Sequence, residues 1–140
     1  MKTLMNRVYP EANGKTCGTH AHWMALLPAA EKIHDELRVY LGITPDELER
    51  SGLFLDVGKS SQKYHRTAHM NEELNLEAIV WIEGKSKIRI RFLFSRDLKA
   101  VLTVEWIMLM TSLTTERCCP IPSWVIERIG TDKPEHTEID

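Results

Sequence analysis

A small group of residues near the predicted start of one long helix has the types and spacing for chemistry on a carbonyl group. An imidazole titrates near neutral pH, so His22 could bind a carbonyl oxygen or position a water molecule. The backbone N–H groups of Gly18 and Thr19 precede the same helix, whose N-terminus favours developing negative charge. Asn13, in the preceding loop, and Glu31, as a base acting through water, complete the candidate catalytic set.

Each of these residues also has an interpretation without catalysis. Asn13 is followed by glycine, which is first of all a turn signal, and His22 is equally consistent with a loop or helix-cap residue. Glu31 lies about 100° from the centre of the apolar stripe, where solvated charges are common. Cys17, His20 and His22 are metal ligands by type, but their spacing lacks a second ligand pair, so no metal site is predicted.

The helix that positions this set is predicted from apolar spacing. Over Ala21–Leu41 apolar residues recur at three- and four-residue steps, and Gly42 supplies the expected C-terminal glycine. Pro28 conflicts with a straight helix over that whole range, so the regular helix either begins near Pro28 or kinks there. Trp23 and His34 lie on the apolar stripe, where each is either a core residue or part of the wall of a substrate pocket.

Most of the remaining chain is predicted to form strands. Leu4–Tyr9 is a short first strand, and Leu53–Arg66 is a long strand after a short capped helix within Thr44–Gly52. Three later runs place apolar residues at even positions, which gives each a core face and a wetter face, over 74–83, 87–94 and 102–110. A last helix is predicted over Ser123–Ile129, with Ser123 as its cap.

The parity of the strand positions also predicts how the strands pair. Residues paired across a hairpin share a face, so their numbers must sum to an even value. A loop centred on Lys85 pairs Trp81 with Arg89, and a loop centred on Asp97 pairs Arg89 with Glu105. Arg89 is therefore expected between Trp81 and Glu105, with a cation–π contact on one side and an ion pair on the other.

The composition limits the class of protein. The 140 residues (16.2 kDa) suffice for one domain with its own core, which we assign to residues 1–130, followed by a polar tail over 131–140. With 18 basic and 20 acidic residues the net charge is −2, which argues against a nucleic-acid binder. No apolar run approaches the roughly 18 residues that would span a membrane. Three cysteines, two of them adjacent, form no disulfide framework and favour a cytoplasmic location.

The order of elements favours an α+β fold in which an antiparallel sheet wraps around one long central helix. That order, and several stretches over about Arg7 to Ile129, resemble the hotdog-fold acyl-thioester hydrolases of the 4-hydroxybenzoyl-CoA thioesterase type. The resemblance implies a hotdog domain over residues 1–130. In chain order the matching stretches are Arg7-Val8-Tyr9, Gly18 with His22, Leu41-Gly42-Ile43, Pro45-Asp46-Glu47-Leu48, Ser51-Gly52-Leu53-Phe54-Leu55-Asp56-Val57, Tyr64-His65-Arg66-Thr67-Ala68, Glu73-Leu74, Glu83-Gly84-Lys85-Ser86 and Pro120-Ile121-Pro122.

The resemblance implies hydrolysis of an acyl-CoA or acyl-carrier-protein thioester by a homodimer or tetramer whose site lies between subunits. CoA or phosphopantetheine would then be part of the substrate, with no separate cofactor and no metal, and an acyl carrier protein is a candidate partner. Trp23 and His34 would line the acyl pocket. Arg89 and Arg91, beside Lys87, could attract the phosphates of CoA, although basic residues on a wet strand face are often simply solvated.

One departure from the family pattern leaves alternatives open. The family usually carries an Asp three residues before the loop glycine, where this chain has Lys15, and the nearest acid-like side chain is the amide of Asn13. The usual Glu of the helix falls at Ala30 or at Glu31, depending on one loop residue. A hotdog dehydratase using His22 with Glu31, and a non-catalytic acyl-binding or interaction protein that lost the acid, are therefore the alternatives to a hydrolase.

Overall fold

The computed structural model describes residues 1–11, 16–17, 20–21 and 23–135. A five-stranded antiparallel sheet has the strand order β1-β6-β7-β8-β4, and β2, β3 and β5 form a separate small sheet. In chain order the elements are β1 (Lys2–Val8), β2 (Thr16–Cys17), β3 (His20–Ala21), a 3₁₀ turn (Trp23–Leu26), α1 (Leu27–Leu41), α2 (Pro45–Arg50), β4 (Leu53–Tyr64), β5 (Ala68–His69), β6 (Leu74–Glu83), β7 (Lys87–Arg96), β8 (Lys99–Ser112) and α3 (Ser123–Ile129). The long helix α1 packs on one face of the large sheet, so the predicted α+β architecture is confirmed.

The start of α1 settles the choice that Pro28 left open. A single 3₁₀ turn over Trp23–Leu26 leads into the regular helix, which begins at Leu27 with Pro28 in its first turn. A proline is tolerated there because the first turn needs no N–H donor. The helix ends at Gly42, whose φ of +68° is the left-handed conformation that glycine adopts without strain. The regular helix therefore begins beside Pro28 and does not need a kink.

The core lies between α1 and the even-numbered positions of the central strands. α1 buries Ala30, Ile33 and Leu37, which are at most 1% exposed. Each fully buried aliphatic or aromatic side chain contributes about 1.5–3 kcal/mol through removal of apolar surface from water. The predicted core face of β6, β7 and β8 is thus confirmed, since its buried members include Leu74, Leu76, Ala78, Val80, Ile88, Ile90, Phe92, Phe94, Leu102, Val104, Met108 and Met110.

The shorter elements mostly follow their sequence signals. Thr44 caps α2, because its side-chain oxygen accepts a hydrogen bond of 3.3 Å from the backbone N–H of Glu47. β4 ends at Tyr64 and carries a register shift at Gly58. The predicted cap of the last helix was wrong: Ser123 is the first residue of α3, and Pro122 occupies the cap position with no side-chain hydrogen bond. Beyond Gly130, residues 131–135 form no helix or strand, and 136–140 lie outside the described residues.

The β6–β7 hairpin has the predicted register. Its loop is centred on Lys85, with Glu83 opposite Lys87 and Trp81 opposite Arg89. Because side chains alternate between the two faces of a strand, this register keeps all the apolar even positions on the α1 side. Strand parity was therefore enough to predict the register of this hairpin.

The predicted register of the β7–β8 hairpin was wrong. Glu105 lies opposite Arg91, and Arg89 lies opposite Ile107. The turn consists of Asp97 and Leu98, both with positive φ (50° and 63°), and the register then shifts by one residue between Phe94 and Ser95. A two-residue turn followed by a bulge preserves the faces while moving the pairing by two residues, which parity alone cannot detect.

We expect the packing of α1 to dominate stability. Leu37→Ala should lower the free energy of unfolding by about 2–5 kcal/mol, because it leaves a cavity between α1 and the sheet. Val39→Ala, on the exposed side of the same helix, is the matched control and should change it by less than about 0.5 kcal/mol. Urea unfolding followed by circular dichroism measures both, and equal effects would contradict this description of the core.

Candidate active site

The N-terminal end of α1 brings together three segments that are distant in sequence. The backbone of β3 pairs with β5, with His20 opposite His69 and Ala21 opposite Ala68. The segment that follows β1 joins the helix start, because the N–H of Glu11 donates a hydrogen bond of 3.0 Å to the carbonyl of Ala25 in the 3₁₀ turn. Ala68 is fully buried, which fixes β5 beside the helix start. The region around the predicted site is therefore held by backbone pairing.

The predicted catalytic residues are only partly covered by the structure. Asn13, Gly18, Thr19 and His22 lie outside the described residues, so their roles stay predictions. Trp23 begins the 3₁₀ turn that leads into α1. α1 has no acidic residue in its first turn and no side-chain hydrogen bond at its N-cap, so no carboxylate on that turn opposes an anion at this end of the helix.

Glu31 is exposed and lies in the second turn of α1. At 100° per residue, Glu31, His34 and Arg38 follow one side of the helix. His34 and Arg38 line a cavity together with Leu55 of β4. Glu31 therefore lies on the side of α1 that is turned toward β4, the strand at the edge of the sheet.

His34 is a largely buried, neutral histidine on this side of α1. Its side chain is 14% exposed, and its ring makes an edge-on contact with Trp106, with 5.4 Å between centroids. Burial, and secondarily the charge of Arg38, lower the pKa of His34 to about 4. The imidazole is uncharged at neutral pH, so its Nδ1, 3.9 Å from Asp35, forms no ion pair there. The Nε2 atom is buried and has no hydrogen-bond partner among the described residues.

The cavity beside His34 holds about 20 Å³, which is room for one water molecule but not for an acyl chain. Its other lining is apolar except for Arg38. The predicted acyl-pocket role of His34 is therefore compatible with its position, but it would need the surrounding side chains to move. His34 is both a core contact of Trp106 and a wall of this cavity.

A second groove, of about 200 Å³, runs between β1 and the first turns of α1. Its wall includes Tyr9, Glu11 and Lys32. The Tyr9 hydroxyl donates a hydrogen bond of 3.0 Å to Glu73, and this bond together with the Glu73 charge raises the pKa of Tyr9. Sequence reasoning missed the Tyr9–Glu73 pair as polar site candidates. The only sequence signal was that both residues fall in stretches that carry the family resemblance.

Arg89 and Arg91 lie on the sheet face away from α1, so the structure does not bring them together with His34. Arg89 forms ion pairs with Glu83 and Glu105, as predicted for Glu105, at 2.5 Å each. The cation–π contact with Trp81, however, comes from Arg91, whose guanidinium carbon is 5.2 Å from the ring centroid. Their predicted phosphate-binding role stays untested, although the buried carboxylate of Glu105 already offsets their charge.

Comparison with known proteins identifies the fold family of this chain. No protein-family model matches this chain, and no curated protein matches it. Among solved structures, it is similar to a 1,4-dihydroxy-2-naphthoyl-CoA thioesterase from Synechocystis, with TM-score 0.76, 11% identity and coverage of 91% of this chain and 96% of that one. It is similar also to the 12:0-ACP thioesterase from Umbellularia californica, with TM-score 0.82 and 14% identity, covering 99% of this chain but 59% of that one. The chain has the hotdog fold.

A third hotdog neighbour is a Staphylococcus aureus protein in complex with CoA, with TM-score 0.78, 11% identity and coverage of 99% of this chain and 96% of that one. The predicted resemblance to hotdog-fold thioesterases is thus confirmed at the level of structure. Among the described residues, no helix is long and apolar enough to cross a membrane. Within the same residues, no group of three or more His, Cys, Asp and Glu side chains is placed to hold a metal ion.

The burial of neutral His34 should make the hotdog domain less stable in mild acid. Because its pKa is lowered from 6.5 to about 4, the stabilisation is full above pH 6.5 and is lost as the pH falls from 6.5 toward 4. His34→Leu should remove about 2–3 kcal/mol of this pH dependence. Urea unfolding at pH 7 and pH 4.5 measures it. The same loss of stability in wild type and His34→Leu would show that another group is responsible.

The ion pairs that Glu105 forms with Arg89 and Arg91, on the sheet face away from α1, should contribute strongly to the stability of the fold. Glu105→Ala should lower the free energy of unfolding by about 3–5 kcal/mol, because it leaves Arg89 and Arg91 partly buried without their shared carboxylate. Glu47→Ala removes the exposed ion pair with Arg50 and should cost less than about 1 kcal/mol. Thermal unfolding of the two variants against wild type decides this, and similar losses would contradict it.

Proposed function

We propose that this chain is a thioester hydrolase that acts on an acyl-CoA or acyl-carrier-protein thioester at the N-terminal end of α1. The observation that carries the proposal is the hotdog fold over nearly the whole chain, shared with solved structures whose names are those of CoA and ACP thioesterases. The pairing of β3 with β5, and the backbone hydrogen bond from Glu11 to Ala25 before α1, support the location. A cytoplasmic location stays a prediction.

In this proposal, catalysis rests on stabilising negative charge rather than on a strong base. Water attacks the thioester carbonyl, and the carbonyl oxygen of the tetrahedral intermediate becomes an oxyanion. N–H groups of Gly18, Thr19 and the helix start would stabilise that oxyanion, since helix N-terminal donors are unpaired and the helix dipole favours negative charge. Collapse of the intermediate expels the thiolate, which is a good leaving group and takes up the proton that His22 or Glu31 accepted from the attacking water. The absence of an acidic residue from the first turn of α1 suits this charge.

His22, Asn13 and Glu31 would position the water, and His22 or Glu31 would accept its proton. His22 is the proposed contact of the carbonyl or the water, because an imidazole can both donate and accept a hydrogen bond. Asn13 is the acid-like side chain nearest to Lys15, which stands at the family's usual acid position, and it can only position water by hydrogen bonds. Glu31 is a carboxylate in the second turn of α1, and its exposure on the β4 side of the helix suits a base that reaches a neighbouring subunit's site.

We further propose that the chain works as a homodimer joined through β4. Among the described strands, β4 has β8 as its one neighbour, which leaves one edge of a 12-residue strand open. An open edge of that length presents unpaired N–H and C=O groups that favour pairing with another strand. Val57 and Tyr64 on β4 are exposed at 40% and 38%, so pairing of two copies would also cover apolar surface. An acyl carrier protein stays a candidate partner for substrate delivery.

Free-thiol release from a panel of acyl-CoA and acyl-carrier-protein thioesters tests the activity. His22→Ala should lower kcat/KM by about 10²–10⁴-fold through loss of the group that binds the carbonyl or water. Asn13→Ala and Glu31→Gln should also lower it. Glu36→Gln, which removes an exposed carboxylate of the same helix, is the matched control and should leave it unchanged. Activity untouched by all three site substitutions would reject this site.

The alternative of a non-catalytic acyl-binding protein is favoured by one feature, the Lys15 that stands where the family usually has an acid. It gives a different outcome in the same assay. Tight binding of acyl-CoA with no release of thiol from any thioester would support the binding protein and contradict the hydrolase. Slow release that depends on His22 would support the hydrolase.

A further inference from the structure

A third concave surface lies between α2 and the start of β4. It is a groove of about 340 Å³, within the range of small-molecule pockets, which is about 300–1,000 Å³. Two of its apolar side chains, Phe54 and Leu113, are 36% and 45% exposed. The full set of lining residues is Arg38, Pro45, Leu48, Glu49, Leu53, Phe54, Leu55 and Leu113. The groove thus has an apolar wall and two charged side chains.

This groove is separate from the proposed active site. Its residue on the long helix, Arg38, lies eleven positions after Leu27, the first residue of α1. At about 1.5 Å of rise per residue, that places Arg38 about 16 Å along the helix from the end where hydrolysis is proposed. Arg38 also lines the small cavity beside His34, so it lies where the groove and the cavity adjoin.

Arg38 has unused hydrogen-bonding capacity. Its Nε–H donates a hydrogen bond of 2.8 Å to the carbonyl of Ile43, just beyond the end of α1. The two terminal nitrogens of the guanidinium have no hydrogen-bond partner among the described residues, and no carboxylate of those residues lies within 4.0 Å of them. An arginine fork of this kind fits a carboxylate through two parallel hydrogen bonds.

The charge of Arg38 is also poorly compensated. The side chain is partly buried, and burial lowers the pKa of Arg38, an effect that Asp35 opposes only through its longer-range charge. Glu49 lines the same groove but forms no ion pair with Arg38. A partly buried cation beside apolar surface is stabilised when an anion of matching shape desolvates with it.

We propose that this groove is a second ligand site, which binds an amphipathic carboxylate with its apolar chain on Phe54 and Leu113 and its carboxylate on Arg38. The apolar wall selects for an alkyl or aryl chain, and the guanidinium selects for a planar anion at one end of that chain. Glu49 disfavours ligands of higher negative charge such as phosphate esters, because its own charge lies on the same groove. The carboxylic acid released by the proposed hydrolysis and a free fatty acid from elsewhere share this chemistry.

Nuclear magnetic resonance titration with octanoate tests the site without using turnover. In wild type, octanoate should shift the amide signals of Leu48 and Leu113 with a saturable dependence on concentration. Octanol carries the chain without the charge, and acetate carries the charge without the chain, so each should bind at least tenfold more weakly. Octanol binding as tightly as octanoate would overturn the role of Arg38.

Two variants on the groove give opposite expected changes. Arg38→Met keeps most of the apolar stem and removes the guanidinium, so octanoate should bind about 10- to 100-fold more weakly. Arg50→Met, an exposed arginine at the end of α2, is the matched control and should leave the affinity unchanged. Glu49→Gln removes the opposing charge and should tighten binding about twofold. Unchanged affinity in both Arg38→Met and Glu49→Gln would overturn the proposal, and the second result holds even if the first variant is unstable.

The outcome is independent of the proposed hydrolase activity. In His22→Ala, the octanoate-dependent shifts of Leu48 and Leu113 should persist even where thiol release is lost. If thiol release depends on His22 but octanoate leaves the groove unshifted, the second site fails and the hydrolase stands. If octanoate binds as expected and no thioester is hydrolysed, the hydrolase fails and the second site stands.

Discussion

Burial of one side of α1 against the even-numbered positions of β6, β7 and β8 is the constraint on which the rest of the molecule depends. Side chains alternate along a strand, so giving the even positions to the helix commits the odd positions to the other face. Arg89, Arg91 and Glu105 are all odd, and they accordingly form their ion pairs on the face away from α1. Any chemistry that uses α1 must therefore be built from loops, from the helix itself and from strand edges.

The electrostatics of α1 change along its length. Its first turn carries no acidic residue, its middle carries the neutral His34, and its last turns carry Arg38 near the C-terminal carbonyls. A cation near the C-terminus of a helix is favourable, since the helix dipole is negative there. In the two proposals, negative charge is bound at the start of the helix by the backbone and near its end by one side chain, so a single helix offers two separate places for an anion.

The sequence was sufficient to predict the elements that are determined by residues close together in the chain. Apolar spacing located α1, Thr44 located the start of α2, and the first hairpin followed from parity. The register of the second hairpin did not follow from parity. Asp97 and Leu98 adopt positive φ although neither is a glycine, so the sequence carries no signal for this turn, and a bulge then shifts the pairing. Local signals could not show it.

The candidate site was predictable only in part, for a different physical reason. His22 and Glu31 became candidates because the sequence places both near the predicted start of one helix, and their roles stay predictions. The pairing of Tyr9 with Glu73 and the open guanidinium of Arg38 depend on which segments meet in the folded chain. The spacing of residues along the chain shows neither which hydrogen-bond donors stay available in the folded protein nor a contact between residues 64 positions apart.

The register shift at Gly58 changes which alternate residues of β4 lie on the α1 side of the sheet. Before it, Leu55 and Val57 share a face with the even positions of β8, and after it Ser60 and Gln62 do so. If Gly58 paired regularly instead of forming a bulge, the second half of β4 would turn Lys59 and Lys63 toward α1. A single strand can therefore change which parity faces the helix, which explains its irregular hydrophobic pattern. This strand should accept changes of residue more readily than changes of length, because a deletion at any position other than the bulge would exchange the two faces of the residues beyond it.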